Sequence, residues 1–486
     1  MGRIRFYFAL WAAKLSVVAL KITRHNGTNF PGVVALRLCP DFLKYIQKPE
    51  RIVGVTGTNG KTTATNMARD MLANMGVNAL CNSTGSNIAT GISTAFISGV
   101  GLSGKCRYDT AVLEIDERSA KNLFPYFAPD YLLVMNLSRD SIMRNGHPEY
   151  IRDFLTTYIP KSTKVILNAD DLIASSVSPD NQRFFYGISR MEGDRTEVPN
   201  LISDLQICPR CSGKLKYEYI RYSNIGRAYC PDCGYTAPEY DGGASSVDLE
   251  NMKFRYTLYQ GVHSQGATTS DGPGAGEAVD SLEFPVMNAS VFNIYNQVAE
   301  ISLFHVMGYS LEEIRKAMDG VGITKSRLGT EQVGDKTVIN FLCKEKNAYA
   351  ASRVFERIHQ IDGDKEILMY NSCIGDTHHW SENVCWMYDA DFEFLADDRI
   401  KQIVVYGDRG LDLKFRMLLA GVDESVITYV EKPEEGIDKL KLFPNDNIYI
   451  LYGTDSFDLG MKTRRQVIDH IKACEGNDGT GKEDGR

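Results

Sequence analysis

Long apolar runs are scarce in this chain of 486 residues. The N-terminal stretch from Phe6 to Leu20 is broken by Lys14 and preceded by Arg3 and Arg5. It is too short and too charged for a spanning helix, and no signal-peptide cleavage site follows it. An amphipathic helix packed on the protein's own body is expected; a helix resting on a membrane surface, or a signal or anchor, are the alternatives. Positive charge is also not in excess. A formal net charge of −8 weighs against broad nucleic-acid binding. No internal repeat is present, which excludes a solenoid. What remains is ordinary globular composition, 43% hydrophobic and 24% charged, with room for two or three domains. Eleven cysteines in a chain of this size point to a reducing compartment and metal binding, not a disulfide framework. The expected location is the cytoplasm, with peripheral contact at the inner membrane face left open.

Against this background one pattern stands out: Gly54-Val55-Thr56-Gly57-Thr58-Asn59-Gly60-Lys61-Thr62-Thr63. It follows Arg51-Ile52-Val53 and precedes a helix-like segment from Thr62 to about Met75. Strand, glycine-rich turn and helix start make a phosphate cradle, because glycines admit backbone N–H groups and the helix dipole favours an anion. Lys61 can reach the β- and γ-phosphates, and the Thr62 hydroxyl can coordinate Mg²⁺. Gly57, Thr58, Asn59, Gly60, Lys61, Thr62 and Thr63 are assigned to ATP. The strict pattern has glycine where Val55 stands, so this is a variant. Downstream, Glu114-Ile115-Asp116-Glu117 follows the apolar run ending at Leu113. Ligands bind at that edge of open α/β sheets. A carboxylate there, Glu114 first, can hold Mg²⁺ opposite Thr62. For Asp116 and Glu117 a solvated charge cluster at a helix start is the alternative.

Cys208-Pro209-Arg210-Cys211 and Cys230-Pro231-Asp232-Cys233 form two CxxC pairs separated by residues 212–229. Four thiolates at this spacing suit one tetrahedral structural Zn²⁺. A small insert has little core, so metal binding would supply folding energy, on the order of 10 kcal/mol. Four protein ligands leave no open position, and no catalysis is assigned to the metal. Basic residues around it, Arg210 and Arg221 among them, keep a nucleic-acid contact open as a lesser alternative.

Apolar runs at 79–81, 110–113, 131–135 and 165–167 alternate with helix-like stretches, as a parallel sheet with crossover helices requires. Segment 262–281 reads as a flexible glycine-rich loop, and residues near 320–335 as a hinge. Beyond it, 366–370, 403–406 and 448–452 look like buried strands of a second α/β unit. The expected fold is α/β. Residues 1–45 form a helical segment, and 46–325 a central ATP-binding domain carrying the four-cysteine insert at about 205–237. A Rossmann-like domain spans 326–474, and a disordered tail 475–486.

These residues resemble a known family. Thr-Gly-Thr-Asn-Gly-Lys-Thr-Thr, Leu-Glu-Ile-Asp-Glu, Asn168-Ala169-Asp170-Asp171 and Phe292-Asn293-Ile294-Tyr295-Asn296 look like a Mur ligase-like central P-loop ATPase domain. The inserted four-cysteine zinc ribbon narrows the resemblance to the MurT family, synthetase subunits that pair with a GatD-type glutamine amidotransferase. Asn87, Gly91, Arg139-Asp140 and the run 388–393 match as well, so nearly the whole chain is covered. The resemblance implies ATP- and Mg²⁺-dependent amidation of the D-glutamate α-carboxylate in the lipid II stem peptide, through an acyl phosphate. It also implies that Asn293 and Asn296 belong to the nucleotide pocket. Arg327 would contact phosphate or carboxylate, with an ordinary surface arginine as the alternative.

Most departures fall in the C-terminal part. The family supplies an Asp to complete the partner's glutaminase triad, and Asn383 stands at that position here. Asn can orient a catalytic imidazole but cannot stabilise imidazolium by charge. Segment 342–348 keeps the family's Lys but loses its Asn-Pro and glycine, and Ser372 and Met143 replace expected Asp residues. An insertion also brings His378 and His379. Two alternatives stay open: a divergent Mur-type amino-acid ligase, and a non-catalytic zinc-ribbon nucleotide-binding scaffold. Against the first, the lysine such ligases carbamylate is not found after Asn136-Leu137-Ser138-Arg139-Asp140.

Overall fold

A computed structural model describes residues 2–23, 28–82, 86–139, 147–198, 200–260, 276–321, 328–343, 347–370, 384–444, 446–453 and 456–478. The chain forms two compact units. The first comprises 1–138, 148–198 and 204–323; the second comprises 324–486 with the short segments 139–147 and 199–203.

The first unit is built on a nine-stranded sheet. Its strands are β1 (Arg51–Thr56), β2 (Ala79–Cys81), β3 (Thr110–Glu114), β4 (Tyr131–Val134), β5 (Lys164–Asn168), β6 (Arg183–Ile188), β9 (Gly242–Asp248), β10 (Lys253–Gln260) and β11 (Glu277–Pro285). Between β6 and β9 in sequence lies a separate antiparallel hairpin, β7 (Lys216–Tyr222) and β8 (Ile225–Tyr229). The order across the large sheet is β11-β10-β9-β6-β5-β4-β1-β3-β2. From β2 to β9 all neighbours are parallel, and β9, β10 and β11 are antiparallel. The apolar runs of the sequence are β2 to β5, and period-two alternation sorts them. Ile52, Leu113, Leu132 and Val134 join one core, whereas Val53, Val55, Val112 and Leu133 join the other. Helices cover both faces, the condition for a parallel sheet buried on both sides. Ala64, Met67 and Met71 of helix Lys61–Asn74 pack with Ile294, Val298 and Ile301 of helix Val291–Val306. On the other face lie helices Gly2–Ile22, Phe30–Leu38, Ala89–Gly99 and Pro148–Tyr158.

Two expectations need correction. The flexible loop over 262–281 ends earlier than the glycine content suggested, because Glu277–Pro285 is strand β11, paired along β10. Its side chains are mostly exposed, so it shows no core-facing apolar pattern and its partner decides its conformation. Residues 261–275 lie outside the described residues. The hinge region near 320–335 contains β12 (Leu328–Val333), which turns directly into β13 (Lys336–Leu342).

The second unit has a six-stranded sheet in the order β12-β13-β17-β14-β15-β16, with β14 Lys365–Tyr370, β15 Ile400–Tyr406, β16 Ile427–Val430 and β17 Asn447–Tyr452. All pairs are parallel except β12–β13. One face packs on helices Ala348–Gln360 and Gly410–Leu419, the other on the final helix Phe457–Asp478. That helix runs into the segment expected to be tail, and 479–486 lie outside the described residues.

Candidate nucleotide and metal sites

The strand β1 sits between β4 and β3, where the chain's path across the sheet reverses direction: β2 and β3 lie to one side, β4 and β5 to the other. Ligands bind in the crevice outside the carboxyl ends of strands at such a point. There β1 gives way to Gly57, Thr58, Asn59 and Gly60, and the helix begins at Lys61. Gly57 (φ 126°) and Gly60 (φ 91°) both adopt backbone conformations closed to most side chains. A Cβ on Gly57 would also lie 2.9 Å from the Asn136 carbonyl oxygen.

Asn136, just past β4, holds the loop. Its carbonyl accepts from Thr58 N (2.8 Å), its Oδ1 accepts from Asn59 N (3.1 Å), and its Nδ2 donates to the Asn59 carbonyl (3.0 Å). The Thr58 hydroxyl donates to the Ser138 carbonyl at 3.1 Å and accepts from Ser138 N at 3.0 Å. Asn296 lies against the same loop, since a Cβ on Gly60 would meet its Oδ1 at 2.7 Å. Asn296 Nδ2 donates to Asn293 Oδ1 at 3.5 Å. Residues 60 and 296 are thus brought together from distant parts of the unit's sequence.

The Lys61 Nζ donates to the Gly57 carbonyl and pairs with Glu117 Oε1 at 2.9 Å. Burial works against its charge, but Glu117, reinforced by Glu114 and Asp116, overrides burial and lifts its pKa above the ordinary lysine value. The solvated-cluster alternative for Asp116 and Glu117 is therefore set aside: both are buried, at 4% and 2% exposure. Asp116 caps the short turn Glu117–Ser119 by accepting from Arg118 N at 3.1 Å. Glu114 ends β3 opposite Val55. Its Oε1 accepts from Asn87 Nδ2 at 2.9 Å, and its backbone is gripped by Asn82, which accepts from Glu114 N (2.8 Å) and donates to its carbonyl (2.9 Å). The loop clamp Asn136 and the lysine partner Glu117 carry roles that motif reading did not give them. Their signal in sequence is only their position just after the apolar runs of β4 and β3. Arg327 and Asn383 lie outside the described residues.

The four cysteines of the insert converge. Their Sγ atoms all lie within 4.8 Å of one another, with Cys208–Cys233 at 3.7 Å and Cys211–Cys230 at 3.5 Å. The first CxxC turn aims amides at both of its sulfurs, Arg210 N donating to Cys208 Sγ and Gly213 N to Cys211 Sγ, both at 3.4 Å. Such a donor set suits a thiophilic cation. The adjoining hairpin docks through Arg221 of β7, which is almost fully buried. Its guanidinium reaches Asp170 Oδ2 (3.2 Å), Asp194 Oδ2 (2.9 Å), the Tyr295 hydroxyl (2.5 Å) and the Ser189 carbonyl (2.7 Å). Tyr295 in turn donates to Asp170 Oδ2 at 2.6 Å and neighbours Asn296 on the same helix. A polar groove of about 620 Å³, lined by Arg51, Asp109, Asp130 and Tyr131 among others, lies at the opposite, amino-terminal edge of the strands, away from this chemistry.

Comparison with known proteins sets these features in a family. The family described as Mur ligase middle domain matches residues 55–200, and that described as MurT ligase C-terminal matches 345–454. The chain is 28% identical over 437 residues to the lipid II isoglutaminyl synthase (glutamine-hydrolyzing) subunit MurT of Streptococcus pneumoniae, covering 88% of this chain and 90% of that protein. To the Staphylococcus aureus (strain COL) subunit of the same name it is 27% identical over 426 residues, covering 87% and 90%. A solved pseudomurein peptide ligase type C from Methanothermus fervidus superposes with a TM-score of 0.60 at 21% identity, covering 88% of this chain and 81% of that one. The chain has the Mur ligase fold. The near full-length relatives and the C-terminal match both support its resemblance to the MurT subunits.

Proposed function

We propose that this chain is the ATP-dependent synthetase subunit of a lipid II isoglutaminyl synthase, a ligase that amidates the α-carboxylate of D-glutamate in the stem peptide. The observation that carries the reading is the clamped loop with Lys61 buried between Gly57 and Glu117, beside a Glu114 oriented by Asn87. The names borne by the near full-length relatives support the same acceptor.

A carboxylate resists attack because a nucleophile adds charge to an anion. Transfer of the ATP γ-phosphoryl group to its oxygen forms an acyl phosphate. Ammonia then attacks the carbonyl carbon, the C–N bond forms, and the C–O bond to phosphate breaks with its electron pair leaving on phosphate. Excess protons pass to solvent. For this sequence the loop's backbone N–H groups and Thr63 hold the phosphates. Lys61 exchanges Glu117 for the γ-phosphate and follows the charge onto the transferring group. Thr62 and Glu114 would hold Mg²⁺, which when bound neutralises charge between phosphate oxygens. Asn293 and Asn296 border the nucleotide, and Arg327 contacts phosphate or the substrate carboxylate. The residues of 46–325 form the ATP-binding domain and those of 326–474 the partner-facing domain. Cys208, Cys211, Cys230 and Cys233 hold a structural Zn²⁺ that takes no part in the chemistry.

Ammonia comes from a GatD-type glutaminase subunit, because no cysteine of this chain lies in a recognisable nucleophile elbow. Asn383 stands where the family supplies an Asp to the partner's Cys–His pair, and it orients the imidazole through its amide oxygen. The reaction is cytoplasmic and involves no nucleic acid. The test combines the purified chain, Mg-ATP and lipid II with either ammonium or glutamine plus a GatD-type partner, read by mass spectrometry. Conversion of carboxylate to carboxamide with both nitrogen sources is expected. ATP hydrolysis without any amide would sink the lipid II assignment.

A further inference from the structure

The helix Gly2–Ile22 has two unlike faces. Phe6, Ala9, Leu10 and Ala13 are buried in the first unit's core, Phe6 packing on the Phe42 ring at 5.2 Å between centroids. The opposite face shows Ile4, Phe8, Trp11, Leu15, Val18 and Ile22 at spacings of three and four residues, each 52–79% exposed. These spacings form one continuous stripe along the helix. Leu102, 67% exposed, extends it sideways. Its carbonyl accepts from the Trp11 indole N–H at 3.0 Å, so the ring's polar atom is satisfied within the protein while more than half of the residue remains outside. An apolar stripe of this length on a folded surface marks an interaction site.

Charge decides what kind of partner fits. Residues 1–40 contain six Lys and Arg and no Asp or Glu, in a chain whose formal net charge is −8. On this helix Arg3, Arg5, Lys14 and Lys21 flank the stripe, with Arg5 and Lys14 also reaching back to the Leu38 and Val100 carbonyls. An apolar stripe bordered by cations complements an anionic bilayer, where acyl chains take the apolar residues and headgroup phosphates meet the cations. A second copy of the chain would bring two cationic borders together. No described helix is long and apolar enough to cross a membrane.

We propose that this helix docks the protein on the surface of a bilayer containing anionic phospholipid, lying in the plane of the interface. The inference stands independently of the amidation chemistry, because it concerns residues outside the nucleotide and metal sites.

The experiment is co-sedimentation of the full chain with phosphatidylcholine vesicles, with and without phosphatidylglycerol. Pelleting with the anionic vesicles is expected, and raised salt should weaken it. Phe8→Glu combined with Leu15→Glu should lower the partition coefficient by at least about tenfold, while thermal melting and ATP hydrolysis stay unchanged. Arg3→Glu with Lys21→Glu should weaken pelleting and flatten its salt dependence. Brominated acyl chains should quench the parent's fluorescence but spare Trp11→Phe. Failure to pellet, equal binding to neutral vesicles, or binding unaffected by Phe8→Glu/Leu15→Glu would overturn the proposal. So would self-association in sedimentation velocity that this pair of substitutions abolishes, since a second copy would then cover the face.

Discussion

At the scale of single residues, Lys61 has two duties whose energetics separate. Its pairing with buried Glu117 stabilises the loop, and its proposed contact with phosphate accelerates chemistry. Lys61→Ala is expected to cut ATP turnover at least about 100-fold, roughly 2.7 kcal/mol of barrier. It should also lower stability by about 3–5 kcal/mol, because Glu117 stays buried without its cation. Adding Glu117→Gln should restore most of the melting temperature and none of the turnover; retained turnover in Lys61→Ala would remove the phosphate assignment. A second residue prediction concerns Glu366 on β14. Burial, reinforced by Asp446, lifts its pKa to about 7, and both residues are fully buried. Its folded pKa exceeds the unfolded one, so the native state binds the extra proton. Stability is therefore greatest below the unfolded pKa, near 4, and falls as pH rises towards 7, by a few kcal/mol. Denaturation midpoints measured across this window should decline in the parent and flatten in Glu366→Gln; parallel curves would mean that this carboxyl does not titrate there.

At the scale of elements, the strand–loop–helix at 51–74 was legible because its conformation is dictated locally, by glycines at positive φ between an apolar strand and a helix. The reason for Gly91 was not. It opens helix Ala89–Gly99, and a Cβ there would lie 2.0 Å from Ser86 Oγ and 2.3 Å from its carbonyl oxygen. Gly91→Ala should push away the turn that carries Asn87 and loosen Glu114. The expected result is a several-fold higher Mg²⁺ concentration for half-maximal ATP turnover, with a lower melting temperature; unchanged Mg²⁺ titration would break that link. The cysteine insert shows the same division. Its CxxC spacing announced the four-cysteine cluster, whereas its docking through Arg221 onto Asp170, Asp194 and Tyr295 joins residues from four distant segments. Arg221→Met leaves those carboxylates buried and should cost about 3–5 kcal/mol, with faster proteolysis between 190 and 240. Denaturant melts and digestion patterns matching the parent would show that the insert docks without it.

At the scale of the whole molecule, the proposed nucleotide site and the departure at the glutaminase triad lie in different parts of the sequence. The clamped loop, Glu114 and Asn296 are in the first unit, whereas Asn383 comes after residue 323 in the sequence, outside the described residues. If the chain works as proposed, Asn383→Ala should slow glutamine-dependent amidation at least about tenfold, roughly 1.4 kcal/mol, and leave ammonium-dependent amidation intact. Equal loss with both nitrogen sources would put this residue outside the glutaminase triad.

By itself the sequence determined the α/β class, the glycine-rich turn and the pairing of the four cysteines, because these rest on short-range rules: alternation of apolar residues, glycine conformations and CxxC spacing. Only the tertiary structure decided that Glu117 is buried against Lys61, that Asn136 and Asn296 close on the loop, and that Glu277–Pro285 is an edge strand. It also decided which face of the first helix is covered. Each of these depends on hydrogen bonds and burial between residues far apart in the chain, where no local pattern carries the information.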